Sequence, residues 1–431
     1  MSASISTAEA LRRGDAQGAA RLARRLIKPF NNNLVPRPWG GTRMFEYKGV
    51  PAEYTGAPPG EAFEIAAFDA DEEAGKYPSM VGFEDGSALE LSALLTANAD
   101  AILGPEFVAR YGACVPLLPK TLDVKELLSV QGHPPGNTEV YVIIDADPGA
   151  TIRLGFSADI DPASYRDSLV SGRRRQAELI ELLRGGPGLD ELQSVLAPWL
   201  GRRGAPANDL LPALEPFLEA NDDWPAAQAL LEELKLVYWR VLDSLNMIPV
   251  SAGQVIYNAT PARLLAGPDA RQSAEVHALG NPEGKEILAL EVRRPGPTFR
   301  AWDNVRFPVR DIDIDAALDA LNLTATTAED FIVAPELVPG RVGVLCSVDS
   351  PSFRVEHLRP GGEPEQGVTV PAEPPHCLHV VRGTVELRSE SGEEIGTLSR
   401  GESALVPVGV GGYVASAREE GVEIVKVGLP L

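Results

Sequence analysis

The spacing of apolar and polar positions gives the chain three textures. Short runs rich in Val, Ile and Leu, bounded by Pro, Gly and Asn, predict strands at residues 60–68, 138–144 and 151–156, and residues 115–118 lead into an extended stretch. Residues 88–111, ALELSALLTANADAILGPEFVARY, carry apolar positions three and four apart and predict helix. Residues 7–27 predict a further helix, basic through Arg12, Arg13, Arg21, Arg24 and Arg25. From 157 to 245 the helical period dominates, in RRRQAELIELL, DELQSVLAPWL and AAQALLEELKLVYWRVLDSL. Asp161-Pro162 and Asp222-Asp223-Trp224-Pro225 read as helix starts, and Pro/Gly breaks fall at 185–188 and 201–206. Strands resume at Met247, with one helix near 315–322. Residues 340–431 alternate and are punctuated by Gly, as in a small antiparallel barrel or sandwich.

Composition narrows the function. A chain of 431 residues predicts two or three domains, and 44% hydrophobic residues allow a large core. The 39 basic residues face 61 acidic ones, a net charge of −22, which excludes nucleic acid as partner. An anionic substrate would therefore need a locally basic pocket in an acidic protein. No apolar run approaches the ~18 residues that span a bilayer. Cys114, Cys346 and Cys377 are scattered and form no CxxC pair, which predicts free thiols in a reducing, cytoplasmic compartment.

The candidate chemistry lies in residues 118–144, LPKTLDVKELLSVQGHPPGNTEVYVII. Gln131 and His133 are two apart in an extended context, so both side chains are expected on one face of a strand. A turn at His133-Pro134-Pro135-Gly136-Asn137 is expected to return the chain on a paired strand carrying Glu139. An imidazole, an amide oxygen and a carboxylate converging this way suit a divalent cation such as zinc. From these three residues alone, a plain His-Pro turn with a core glutamine is an equal reading.

Further segments add a resemblance in chain order. WGGTRM at 39–44, GEAFEIAAF at 60–68, PLLPKTLDVKELLSVQGHP at 116–134, Asn137-Thr138-Glu139, AEVHALG at 274–280 and TFRAWD at 298–303 resemble successive motifs of the type I mannose-6-phosphate isomerases, zinc enzymes of the cupin superfamily. The resemblance implies a mainly β fold with an α insertion: two cupin-type (jelly-roll) β-barrels plus a helical subdomain. Residues 1–28 would be an N-terminal helical extension. Residues 29–156 and 246–325 would form the catalytic barrel, 157–245 the helical insertion, and 326–431 a C-terminal cupin-like domain.

It also implies roles. Gln131, His133, Glu139 and His277 would hold one zinc ion per chain. Arg300 would assist proton transfer and stabilise charge, and Lys120 and Ser129 would face the substrate near its phosphate. Four departures from the family stand out: only five residues separate His133 from Glu139, Asn137 replaces a lysine, Arg293-Arg294 replace a Gln-Gln pair, and a fifteen-residue insert precedes Ala274. With Asn137 unable to act as base, Lys120 and Asp303 remain for that role, and Arg293 is a candidate for phosphate binding. The implied reaction interconverts mannose 6-phosphate and fructose 6-phosphate in a monomer whose partner is a small sugar phosphate, with neither nucleic acid nor membrane involved. The alternatives are an isomerase-like protein for another sugar or sugar phosphate, and a non-catalytic, metal-holding cupin. His376 and His379 show no clear carboxylate partner at cupin spacing and predict structural or surface roles.

Overall fold

The longest apolar runs form strands that are covered on both faces. In the computed structural model, Leu118–Val124 and Ile287–Arg293 are buried at every position. The structure describes residues 5–50, 56–67, 77–183, 189–218, 223–265, 271–307, 309–361 and 367–431. Phe68, the break at 185–188 and Asp222 lie outside the described residues.

These strands sit in the middle of a seven-stranded antiparallel sheet. Its order is Leu34–Pro36, Pro59–Phe63, Leu118–Val124, Ile287–Arg293, Glu139–Ala146, Val255–Asn258 and Ile332–Val333. A five-stranded sheet faces it, ordered Phe299–Trp302, Val130–Gly132, His277–Ala278, Thr151–Phe156 and Leu245–Pro249. Leu122, Tyr141, Ile143 and Ala289 of the first sheet pack on Ile152, Leu154 and Ile248 of the second. Segments from both sides of residues 157–245 enter both sheets, so the central stretch and His277 meet despite their separation in sequence. A second sheet pair follows, of six and four strands, with Leu358, Leu378 and Ile424 against Val370, Leu387 and Tyr413. Two jelly-roll barrels are expected from the sequence. Among the described residues the sheets stand as face-to-face pairs, and no closed barrel is found.

The outer faces are covered as well. Val130, Phe156, Ala301 and Trp302 of the five-stranded sheet pack against Leu169 and Leu179 of helix Pro162–Leu182 and Leu231 and Val241 of helix Trp224–Asp243. Each fully buried leucine there is worth about 1.5–3 kcal/mol. The seven-stranded sheet turns Val140, Val142 and Leu290 toward Leu94 and Leu95 of helix Leu91–Ile102 and toward Val355, Leu405 and Val427 of the six-stranded sheet.

Two helices differ from expectation. Residues 7–27 form two, Thr7–Arg12 and Ala16–Leu22, because Gly14 adopts φ 81° and Asp15 caps the second through Gln17 N at 3.2 Å. Residues 88–111 begin as a strand, Ala88–Glu90, and continue as helices Leu91–Ile102 and Pro105–Tyr111, with Pro105 opening the second. No helix among the described residues is long and apolar enough to cross a membrane.

Candidate metal centre and its cleft

The turn after His133 does not return the chain on a paired strand. Val130–Gly132 pairs with His277–Ala278 and Phe299–Trp302 in the five-stranded sheet, whereas Glu139 opens a strand of the seven-stranded sheet. The Pro134-Pro135 turn, closed by Asn137 N to Pro134 O at 3.1 Å, carries the chain from one sheet to the other. The ligand candidates therefore converge across the gap between sheets. His277 sits in register with Gln131, and so does Arg300 from the other side.

His133, Glu139 and His277 form one cluster, with ligand atoms within 4.8 Å of one another and each residue 1% exposed. His277 Nδ1 lies 2.8 Å from Glu275 O, and His133 Nδ1 lies 3.2 Å from Pro297 O. Each Nδ1 thus carries the proton and donates it to a carbonyl, so each Nε2 presents a lone pair. His133 Nε2 is 2.6 Å from Glu139 Oε1, and His277 Nε2 is 3.2 Å from Glu139 Oε2. Among the described residues, no well-angled hydrogen bond forms at His133 Nε2 despite that approach. Burial keeps His133 neutral, lowering its pKa against the pull of Glu139. Two lone-pair atoms facing a carboxylate repel unless a cation lies between them, so the donor set fits a divalent metal.

The surroundings orient this set. Tyr141 Oη donates to Glu139 Oε2, and Asn258 Nδ2 reaches the same oxygen at 3.3 Å. Asn258 Oδ1 accepts from Glu275 N at 2.7 Å, fixing the loop that carries His277. Such outer partners hold ligand rings and carboxylates in place. Burial pushes the Glu139 carboxyl up, yet the group is held well below the usual carboxylate range, with the Arg293 guanidinium among the charges that favour the carboxylate. Gln131 places its amide nitrogen 3.2 Å from His277 Nε2 and accepts from Ser129 Oγ at 2.9 Å. A half-turn of that amide would put its oxygen on the centre, and the Ser129 hydroxyl can serve either orientation.

Beside the centre opens a cleft of about 190 Å³ lined by Ser129, Gln131, Glu61 and Glu291 and by five cations, Arg37, Lys120, Arg293, Arg300 and Arg310. Lys120 Nζ lies 3.2 Å from Glu61 and 3.0 Å from Glu291. Burial lowers the Lys120 pKa, but the two carboxylates outweigh it and leave a raised value, so the ammonium stays charged at neutral pH. Burial raises Glu291, with Lys120 opposing and Glu139 adding to the rise. Glu61 is driven down to about 2, because Lys120 and Arg37 outweigh its burial. Arg293 points into the site, 3.7 Å from Glu139, whereas Arg294 points away over the Tyr111 ring at 5.5 Å.

Asp303 does not line the cleft. Its carboxylate is held by Arg310, with Nε at 2.6 Å, and by Arg306 at 3.5 Å. Asn137 is likewise bound into the turn, donating to Arg294 O at 3.0 Å. His376 and His379 also lie apart from the centre. His376 Nε2 meets Tyr413 Oη at 2.8 Å, and His379 meets Tyr47 and Ser403 at 2.7 and 2.8 Å. Glu291, Arg37 and Arg310 escape the sequence reading. The signal available for Glu291 is its period-two alternation with Arg293 on one strand, which puts both on the same side.

No family model matches the chain, and no curated protein matches it by sequence. Solved structures do match. The mannose 6-phosphate isomerase from Bacillus subtilis aligns over 94% of this chain and 99% of its own, with TM-score 0.58 and 17% identity. A phosphomannose isomerase from Salmonella typhimurium covers the same shares at TM-score 0.59 and 16% identity. A mannose 6-phosphate isomerase bound with zinc and yttrium, again over 94% and 99%, matches at TM-score 0.57 and 16% identity. Over 94% of its length, then, the chain has the fold of the type I phosphomannose isomerases.

Proposed function

We propose that the protein is a metal-dependent aldose–ketose isomerase of hexose phosphates, interconverting mannose 6-phosphate and fructose 6-phosphate. The observation that carries this reading is the placement of a three-ligand centre against a cleft with five cations, in a chain of net charge −22. A phosphate monoester is the kind of substrate such a cleft selects. The cation is read as one zinc ion held by Gln131, His133, Glu139 and His277. When bound, it supplies positive charge to substrate oxygens as they gain electron density. On this reading the two sheet pairs are cupin-type units. Residues 29–156 and 246–325 hold the chemistry, 157–245 cover it, 326–431 form the second unit and 1–28 precede it. The protein works as a monomer in the cytoplasm, in keeping with its three free cysteines.

The chain's own groups divide the remaining work. Glu291, raised by burial, takes the proton from C2 and returns it to C1. Lys120, charged and 3.0 Å from Glu291, holds that carboxylate and a substrate hydroxyl. Arg300, in register with Gln131, stabilises the enediolate oxygen through its planar donors. Ser129, Arg293, Arg37 and Arg310 are placed for the phosphate. Asp303, bound between two arginines, positions Arg310. One observation favours a second reading, in which another aldose phosphate is the substrate: Asn137 is fixed in the turn where the family has a lysine. A coupled assay of metal-loaded protein with mannose 6-phosphate, following fructose 6-phosphate, tests the first reading. Turnover of a different aldose phosphate alone would establish the second, and no turnover with any hexose phosphate would leave a metal-holding binding protein.

A further inference from the structure

A second cavity, of about 440 Å³, lies where the helical segment meets the loops of the first sheet pair, outside the metal-side cleft. Its size falls within the range of about 300–1,000 Å³ typical of small-molecule sites, and seams between packed units are where such sites concentrate. Leu127, Leu200 and Tyr238 give it an apolar wall. Lys125 and Arg202 stand exposed at its margin, and Arg306 lines it from within at 4% exposure. Glu126 and Glu283 are its two carboxylates.

The buried polar groups of this wall are incompletely matched. Arg306 Nη2 donates to Leu127 O at 2.5 Å and its Nε lies 3.5 Å from Asp303 Oδ1, while Nη1 has no hydrogen-bond partner among the described residues. Asn304, also lining the cavity, is held at φ 54°, a conformation uncommon outside glycine. It donates to Leu128 O at 2.8 Å and leaves Oδ1 without a partner. Buried polar groups are normally satisfied, and a buried guanidinium short of acceptors costs more than a neutral group. An anionic group beside Arg306 Nη1 would complete the guanidinium. Three cations against two carboxylates match a single anionic group and disfavour a polyanion.

We propose that this cavity is a second small-molecule site, for an organic anion with an apolar body. The anionic group would lie toward Arg306, Lys125 and Arg202, and the body against Leu127, Leu200 and Tyr238. The site borders the metal-side cleft through one chain of ion pairs. Asp303, which Arg306 approaches, is held from its other side by Arg310, a residue of that cleft.

The test is calorimetric titration of the full chain with 1-naphthalenesulfonate, an aromatic monoanion, with inorganic sulfate as the probe lacking the apolar body. It reads binding rather than turnover, so its outcome is independent of the isomerase reading. Naphthalenesulfonate should bind at least about tenfold more tightly than sulfate. The double variant Lys125→Glu/Arg202→Glu changes only exposed residues, and a thermal melt checks that it folds; it should weaken binding about tenfold. Arg300→Ala, in the other cleft, should bind as the parent does. No heat at millimolar naphthalenesulfonate would overturn the proposal, as would equal affinity in the parent and the double variant. Loss of binding in Arg300→Ala would assign the ligand to the metal-side cleft and overturn it equally.

Discussion

The candidate metal centre takes its form from hydrogen bonds at single atoms. His133 and His277 each commit Nδ1 to a backbone carbonyl, which leaves Nε2 free to bind a cation. Replacing either by Ala removes one ligand of the set. Elemental analysis should then fall from about one divalent ion per chain toward none, and a variant that keeps its metal would remove that histidine from the site. Tyr141→Phe leaves the ligands but deletes the donor to Glu139, so metal affinity should drop by about 10–100-fold in a chelator competition. Arg300→Ala should lower kcat by about 10²–10³ with metal content unchanged, the scale of losing one charge stabiliser. A fall in metal content instead would make Arg300 part of the scaffold. His133 and Glu139, two of the three clustered residues, were legible in sequence as near neighbours of ligand type, with Gln131 beside them as a further candidate. His277, isolated on an apolar strand, emerged only from the likeness of its segment to a known motif. Glu291 shares a strand face with Arg293 by its spacing, but spacing does not say which face meets the cleft, and Arg310 lies on no strand at all.

At the scale of elements, the strands were legible and their partners were not. Thr151–Phe156 formed as the pattern predicts, but the Pro-Pro turn after His133 crosses between sheets, and no local rule distinguishes that from a hairpin. The helices over-extended at Gly14 and before Pro105, where a single backbone conformation stops them. Gly155 shows how strongly such a residue can bind a strand to its surroundings. It holds φ 66° inside Thr151–Phe156, its N–H donates to Val276 O at 2.7 Å, and an added Cβ would meet Thr326 Oγ1 at 2.2 Å and Phe331 Cζ at 2.7 Å. Gly155→Ala therefore combines a disfavoured conformation with overpacking, and should destabilise the fold by about 2–4 kcal/mol in denaturant unfolding. A loss under about 0.5 kcal/mol would mean that the strand shifts freely at this point.

At the scale of the molecule, the two β units are joined by a buried polar network, and its state depends on pH. Glu64, beside the first unit's strand Pro59–Phe63, is 2.8 Å from Lys48 Nζ and accepts from Thr121 Oγ1 at 2.5 Å and from Ser403 Oγ of the second unit at 2.8 Å. His379 lies 2.8 Å from Ser403 Oγ through Nδ1 and 2.7 Å from Tyr47 Oη through Nε2. Ser403 spends its proton on Glu64, so His379 donates from Nδ1; Nε2 faces Tyr47 Oη, which also lies 3.2 Å from Val380 O, and burial keeps the ring neutral. Burial depresses His379 to about 4, with Glu64 pulling upward and Lys48 downward. The unfolded chain, with an ordinary histidine at 6.5, binds the proton more readily. Stabilisation from the neutral ring is therefore complete above about pH 6.5 and is lost as the pH falls through about 4. Between pH 7 and pH 5 that amounts to about 2 kcal/mol. Asp123 is raised to about 7 by burial and shifts stability the other way over the same window, so the parent's profile alone does not isolate the histidine. The difference between parent and His379→Asn does. Denaturant unfolding at the two pH values should show the parent losing about 2 kcal/mol more than the variant. Parallel profiles would mean that His379 titrates alike in the folded and unfolded chains and that the network does not require a neutral ring.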